Sequence, residues 1–249
     1  MKKIVFSTIV LSLLAFALPP GKTTVWLIGD STMSIKETKA YPETGWGMPF
    51  ANFFDSTVVV DDRAKNGRST RTFLEEGLWR PVAENMKEGD YVFIQFGHND
   101  EVETKRSYTT TEQYTALLTR YVNEARAKKA TPILLTPVAR RKFDSTGHIQ
   151  GTHNQYSNLV REVAQKNNVP LIDLDVKSQT LLQQYGPETS KLLFNYLQPG
   201  EHPNYPEGKT DDTHFSELGA QKIAELVLSE VRALHLPLTR HIYQPPVKK

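Results

Sequence analysis

Five short apolar runs punctuate the chain: "TVWLIG" (24–29), "TVVV" (57–60), "YVFIQF" (91–96), "PILLTPV" (132–138) and "PLIDL" (170–174). Nearly continuous hydrophobicity over such short stretches is the pattern of strands covered on both faces of a parallel sheet. Between the runs the spacing changes. Tyr114, Leu117, Leu118, Tyr121, Val122 and Ala125 recur at helical intervals within 110–129, as do Tyr156, Leu159, Val160 and Val163 within 153–168. A third stripe after Ser216 holds Ala220, Ile223, Ala224, Val227, Val231 and Leu234. Each predicts an amphipathic helix. Strands alternating with helices imply parallel pairing through right-handed crossovers. The expected fold is therefore α/β, a single doubly wound (flavodoxin-like) domain over 24–236 with a five-stranded parallel sheet and helices on both faces. The tail, 237–249, carries no readable pattern.

The first residues change the picture of where the chain works. Lys2 and Lys3 precede an apolar run from Ile4 to Leu14, followed by Ala15-Phe16-Ala17. This is the layout of a secretory signal peptide, read as 1–17 with an approximate cleavage point. The run is shorter than the roughly 20 residues that span a bilayer. A secreted or periplasmic protein with no membrane attachment after cleavage is expected. The chain has no cysteine, which excludes thiolate and disulfide chemistry. Its formal charge of +2 includes Lys2 and Lys3; without them 28 basic residues face 28 acidic ones. A neutral chain has no overall attraction to nucleic acid, and no nucleic-acid partner is expected.

Ligands of doubly wound sheets bind beyond the carboxyl ends of the strands, and the polar clusters of this chain fall at such ends. In "LIGDSTM" the first strand delivers Asp30 and Ser31 directly after Gly29. A serine there is either a helix N-cap or a nucleophile, although it does not sit in the G-x-S-x-G elbow of α/β-hydrolases. The second strand runs into "DDRAKNGRSTRTF", where Gly67 suits a sharp turn or close approach to a ligand. The third ends in Gly97, His98, Asn99 and Asp100. The Asn99 carboxamide can donate to a developing oxyanion without acting as a base, or it can simply close a strand-end turn. His98 and Asp100 read as scaffold. In "GKTDDTHFSELGA" Asp211 precedes His214 by three residues, just before the last helix. A carboxylate at that separation can fold back onto Nδ1 and leave Nε2 as a base, with Asp212 the alternative orienter. The ordered set supplies a nucleophile, a base, its orienter and three donors, namely the amides of Ser31 and Gly67 and the Asn99 side chain. That is a complete acyl-transfer site.

This set resembles the SGNH (GDSL-type) hydrolase superfamily from about Thr24 to His235. The blocks "GDSTM", "GWG" (45–47), "NGRSTRTF", "GDYVFIQFGHND" and "DDTHFSELGA" are similar to those of its rhamnogalacturonan acetylesterase branch. The resemblance implies that Ser31 is the nucleophile, that Asp211 and His214 complete the triad, and that Ser31, Gly67 and Asn99 form the oxyanion hole. It implies a serine esterase removing O-acetyl groups from a plant cell-wall polysaccharide, pectic rhamnogalacturonan, with no metal or organic cofactor. Arg63, Lys65, Arg68 and Arg71 follow strand two, and Arg140, Arg141 and Lys142 follow strand four. Arginine forks match uronate carboxylates, so Arg68, Arg71 and Arg140 are the expected substrate contacts. The alternative is a solvated surface balanced by Asp61, Asp62 and Glu75. Trp46 and Phe143 are candidate stacking surfaces for sugar rings, with burial the commoner fate of Trp46. The loop "EHPNYPEGK" (201–209) is where substrate choice would be shaped. The rival readings are an acetylxylan esterase, a GDSL-type lipase or thioesterase, a metal-dependent phosphoesterase, and a carbohydrate-binding protein without turnover. The phosphoesterase is weakened because the first strand lacks an Asp-x-His start.

Overall fold

Strands form where the apolar runs predict them: β1 Thr23–Gly29, β2 Val58–Asp62, β3 Tyr91–Gln95, β4 Thr131–Leu135 and β5 Leu171–Ile172. The computed structural model describes residues 22–245, so the leader read at 1–17 lies outside the described residues. All pairings are parallel, and the sheet order is β2-β1-β3-β4-β5. The helices are α1 Gly47–Phe50, α2 Thr70–Glu75, α3 Trp79–Asn85, α4 Thr111–Ala127, α5 Asn154–Lys166, α6 Leu174–Thr189 and α7 Glu217–Ala233. This is the expected doubly wound architecture.

Alternate strand residues feed two cores, which is why the runs read as continuously apolar. Val25, Leu27, Phe93, Ile133, Leu135 and Ile172 pack on one face with Phe50 of α1, Leu182 of α6 and the Ile223–Val227–Val231 stripe of α7. Trp26, Ile28, Val92, Ile94 and Leu134 pack on the other with Phe73, Trp79, Tyr114, Tyr121, Tyr156 and Val160 from α2 to α5. The three helices with legible stripes are α4, α5 and α7. Two of them start at caps: Thr110 in a capping box with Gln113, and Ser216 accepting from the Gly219 amide.

Two segments differ from the sequence reading. The fifth strand stops at Ile172 because Asp173 becomes the N-cap of α6, a helix whose buried face includes the polar Asp175 and Ser178 and whose end is interrupted at Gly186 and Pro187. The tail is also organised. Residues Pro237–His241 form a 3-10 turn, Leu238 is fully buried, and Tyr243 N–H donates to the Phe53 carbonyl at 2.8 Å.

The chain leaves β1 toward β2 on one side and β3 on the other. A crevice opens where such an order reverses, beyond the carboxyl ends of those strands. Ser31, Gly67 and Asn99 each follow one of these three ends.

Candidate active site

The turn carrying Ser31 is held from below. Gly29 is pressed on the neighbouring strand, where a Cβ would stand 2.5 Å from the Gln95 carbonyl oxygen. Asp30 is fully buried, and its Oδ1 accepts from the Thr32 amide at 2.9 Å and the Thr32 hydroxyl at 2.8 Å. Gln95 donates to the same hydroxyl at 2.7 Å while its own oxygen accepts from Trp46 Nε1 at 2.7 Å. Lys36, its side chain fully enclosed, donates to the Ser31 carbonyl and to Asn66 Oδ1 at 3.0 Å, and pairs with Glu43 at 2.7 Å. These contacts fix the serine turn against the loop that carries Gly67. Sequence reasoning missed Gln95 and Lys36; the one signal was a glutamine inside an otherwise apolar strand.

Ser31, His214 and Asp211 meet. His214 Nε2 lies 2.9 Å from Ser31 Oγ, and its Nδ1 lies 2.9 Å from Asp211 Oδ2. Asp211 Oδ1 accepts from the amides of Thr213 at 2.8 Å and His214 at 2.9 Å, so the three-residue separation is closed by a turn. Burial pushes the Asp211 carboxyl up. The His214 imidazole and these two amides outweigh it and hold the group well below the usual carboxylate range. Asp212, the alternative orienter, turns away to Arg141 at 2.8 Å and to the Tyr196 hydroxyl. Behind the imidazole, Asn195 N–H donates to the His214 carbonyl at 2.9 Å.

The donor side is assembled from two loops. Gly67 is exposed with φ of 76°, and nothing lies within 4 Å of where its Cβ would be. The amides of Ser31 and Gly67 make no hydrogen bond among the described residues. Asn99 Nδ2 donates to the Arg68 carbonyl at 3.1 Å, which ties the carboxamide to the Gly67 loop. Asp100 accepts from the Thr70 amide at 2.9 Å and hydroxyl at 2.6 Å, joining the β3 tip to α2; burial raises it to about 7. Two clefts flank Gly67. One, of about 280 Å³, includes Ile35, Lys65 and Arg68, and the other, of about 290 Å³, includes Arg68, Lys105 and Arg106.

The arginines expected to meet substrate are held by protein acceptors. Arg68 pairs with Glu76 at 2.6 Å, and Arg71 with Glu75 at 2.8 Å and the carbonyls of Arg106 and Tyr108. Arg140 donates to Thr213 Oγ1 at 2.5 Å, and Arg141 is taken up by Asp212, Ser190 and Pro187. Arg63 pairs with Asp61. Trp46 is fully buried, edge-on to Phe50 at 5.5 Å, and Phe143 is half-buried beneath the Arg141 guanidinium. Among the described residues there is neither a cluster of free guanidiniums nor an exposed tryptophan platform. Among the described residues no group of three or more His, Asp or Glu side chains is arranged to hold a metal ion. No helix among them is long and apolar enough to cross a membrane.

An imidazole locked by a carboxylate on one nitrogen and facing a hydroxyl on the other is built to move a proton off that hydroxyl. The Ser31 and Gly67 amides make no hydrogen bond among the described residues and are free to donate. The chain is similar to known proteins in both sequence and fold. The model of the GDSL-like Lipase/Acylhydrolase family matches residues 27–222. Rhamnogalacturonan acetylesterase RhgT of Bacillus subtilis (strain 168) is 44% identical over 219 residues, covering 88% of this chain and 93% of that protein. The rhamnogalacturonan acetylesterase of Emericella nidulans is 25% identical, covering 89% of this chain and 88% of that one. The crystal structure of protein YxiM of Bacillus subtilis superposes with a TM-score of 0.76 at 25% identity, over 88% of this chain and 58% of that chain. By sequence match over most of its length and by fold, the chain belongs to the GDSL-like lipase/acylhydrolase (SGNH) family of ester hydrolases.

Proposed function

We propose that the protein is a serine esterase that removes O-acetyl groups from a carbohydrate, and that its polymer is pectic rhamnogalacturonan. The observation carrying this reading is the unbroken Asp211–His214–Ser31 chain, with 2.9 Å at each imidazole nitrogen. His214 takes the Ser31 proton as the serine oxygen attacks the acetyl carbonyl. The amides of Ser31 and Gly67 and the Asn99 carboxamide receive the oxyanion. The tetrahedral intermediate collapses, the sugar oxygen leaves with the proton from His214, and the acetyl group stays on Ser31. Water, deprotonated by the same imidazole, attacks the acetyl-enzyme; acetate leaves and Ser31 regains its proton. Apart from the attacking water, every step uses side chains or main-chain amides of this chain.

The choice of polymer is supported by the relatives named rhamnogalacturonan acetylesterases, one of them 44% identical to this chain. Lys65, Lys105 and Arg106 beside Gly67 supply cationic surface suited to a uronate-bearing backbone. With the leader read at 1–17, the reaction takes place outside the cytoplasm.

Acetate release from acetylated rhamnogalacturonan, measured beside release from acetylated xylan, tests the substrate. Faster release from the pectic polymer is expected, and a preference for xylan would replace the pectic assignment. Asn99→Ala tests the oxyanion role, with kcat expected to fall by roughly 100-fold or more. Full kcat in that variant would remove Asn99 from the mechanism.

A further inference from the structure

The chain neighbours of Ser31, Asn99 and His214 lie along a line of close polar approaches that the hydrolytic steps do not use. Asp30 Oδ2 lies 3.3 Å from His98 Nδ1. The His98 ring packs against His153, centroids 4.2 Å apart, and His153 Nδ1 lies 2.8 Å from Glu101 Oε1. Glu101 Oε1 is 3.8 Å from Arg140 Nη2. Arg140 closes the path: Nη1 donates to Thr213 Oγ1 at 2.5 Å and Nη2 to the His98 carbonyl at 3.5 Å. Its main-chain N–H is itself fixed by Thr152 Oγ1 at 3.0 Å. Asp30, His98 and His153 are all nearly fully buried, so most of this path is a fixed internal structure.

Arg140 thus spans from the tip of β3, beside Asn99, to the loop that presents His214. Thr213, its acceptor, also gives its amide to Asp211, so its position is shared by both members of the base pair. A planar fork can hold two acceptors in fixed directions, which a lysine ammonium on a flexible stem cannot. We infer that Arg140 is a positioning residue: it sets the His214 loop against Ser31 and Asn99 instead of binding the substrate. This inference rests on the triad reading above.

The test uses two esters. p-Nitrophenyl acetate has no carboxylate for an arginine to recognise, whereas an acetylated pectic oligosaccharide has several. In Arg140→Lys and Arg140→Gln, kcat is expected to fall about 10- to 100-fold on both esters, as a displaced imidazole would cause, with KM held within about twofold. Thr213→Val, which leaves the guanidinium in place, should show the same split. The double variant Arg140→Lys/Thr213→Val should be no slower than the slower single variant, because both break one contact. A raised KM confined to the pectic oligosaccharide, with p-nitrophenyl acetate turnover intact, would make Arg140 a substrate ligand and overturn the inference. Wild-type kcat in Thr213→Val would overturn it equally, and this second variant decides the matter should Arg140 variants fail to fold. A wild-type protein that hydrolyses neither ester would instead sink the esterase reading.

Discussion

Asp211 keeps its charge because the His214 imidazole and two main-chain amides all donate to it, and that charge orients the base. Asp211→Asn replaces the carboxylate with a neutral amide whose NH2 can donate to Nδ1 and favour the wrong imidazole tautomer; kcat is expected to fall on the order of 10³-fold or more with little change in KM, and a variant with unimpaired kcat would show that the carboxylate is idle. The buried pair below Ser31 works differently. Burial raises Asp30, yet the His98 imidazole and Thr32 bring it down to about 2, while burial and neighbouring His153 keep His98 down at about 4. At neutral pH an ionised Asp30 thus faces a neutral imidazole. Asp62 is the contrary case. Its Oδ2 is enclosed without a partner, and burial pushes the carboxyl up from 3.8 to about 8. The folded state holds a proton there that the unfolded chain releases, so this group's stabilisation is complete below the unfolded value and is lost as pH rises toward about 8. The melting temperature of Asp62→Asn relative to wild type should therefore be more favourable at about pH 8 than at about pH 5, and a pH-independent difference would contradict this. Ser31, Asp211 and His214, singled out in the sequence by their chemistry, are brought within hydrogen-bond reach of one another, while Asn99 is tied to the Arg68 carbonyl. Lys36 and Gln95 were not singled out, and Arg140 was read as a substrate contact, because the partners of all three are brought close only by folding.

α7 is set down on the segment before the site with no room to spare. At Gly219, in its first turn, a Cβ would stand 1.8 Å from the Leu193 carbonyl oxygen. The same carbonyl accepts from Ser216 N–H, and two residues on Asn195 donates to the His214 carbonyl. Gly219→Ala must push this segment away. Overpacking of this kind costs about 1–3 kcal/mol, and the shift should also lower kcat through His214. A denaturant melt and an ester assay on one sample check both effects; an unaltered midpoint would show that the segment yields freely. The helices read from sequence, α4, α5 and α7, each bury one apolar stripe. α6 escaped because Asp175 and Ser178 lie on its buried face, with Asp175 held by Arg161 and Gln179, so its inward side does not look hydrophobic. β5 was read too long because Asp173, a favoured N-cap residue, was taken as part of the apolar run.

Across the whole molecule, the sheet order brings the ends of β1, β2 and β3 side by side, and the last loop before α7 folds over them. The tail that showed no pattern adds to this frame through Leu238, which is fully buried, and Ile242, which packs against the same core. Leu238→Ala should cost about 2–5 kcal/mol of stability, and a melting temperature equal to wild type would contradict its place in the core. The strand pattern made the architecture legible, while the closing of distant loops on one hydroxyl followed only from the ordered motifs taken together. That convergence is most directly tested by the rate of acetate release from an acetylated oligosaccharide by Ser31→Ala beside wild type, both shown to melt alike. A loss of at least about 10⁴-fold is expected, and a variant retaining more than about one per cent of the wild-type rate would contradict it.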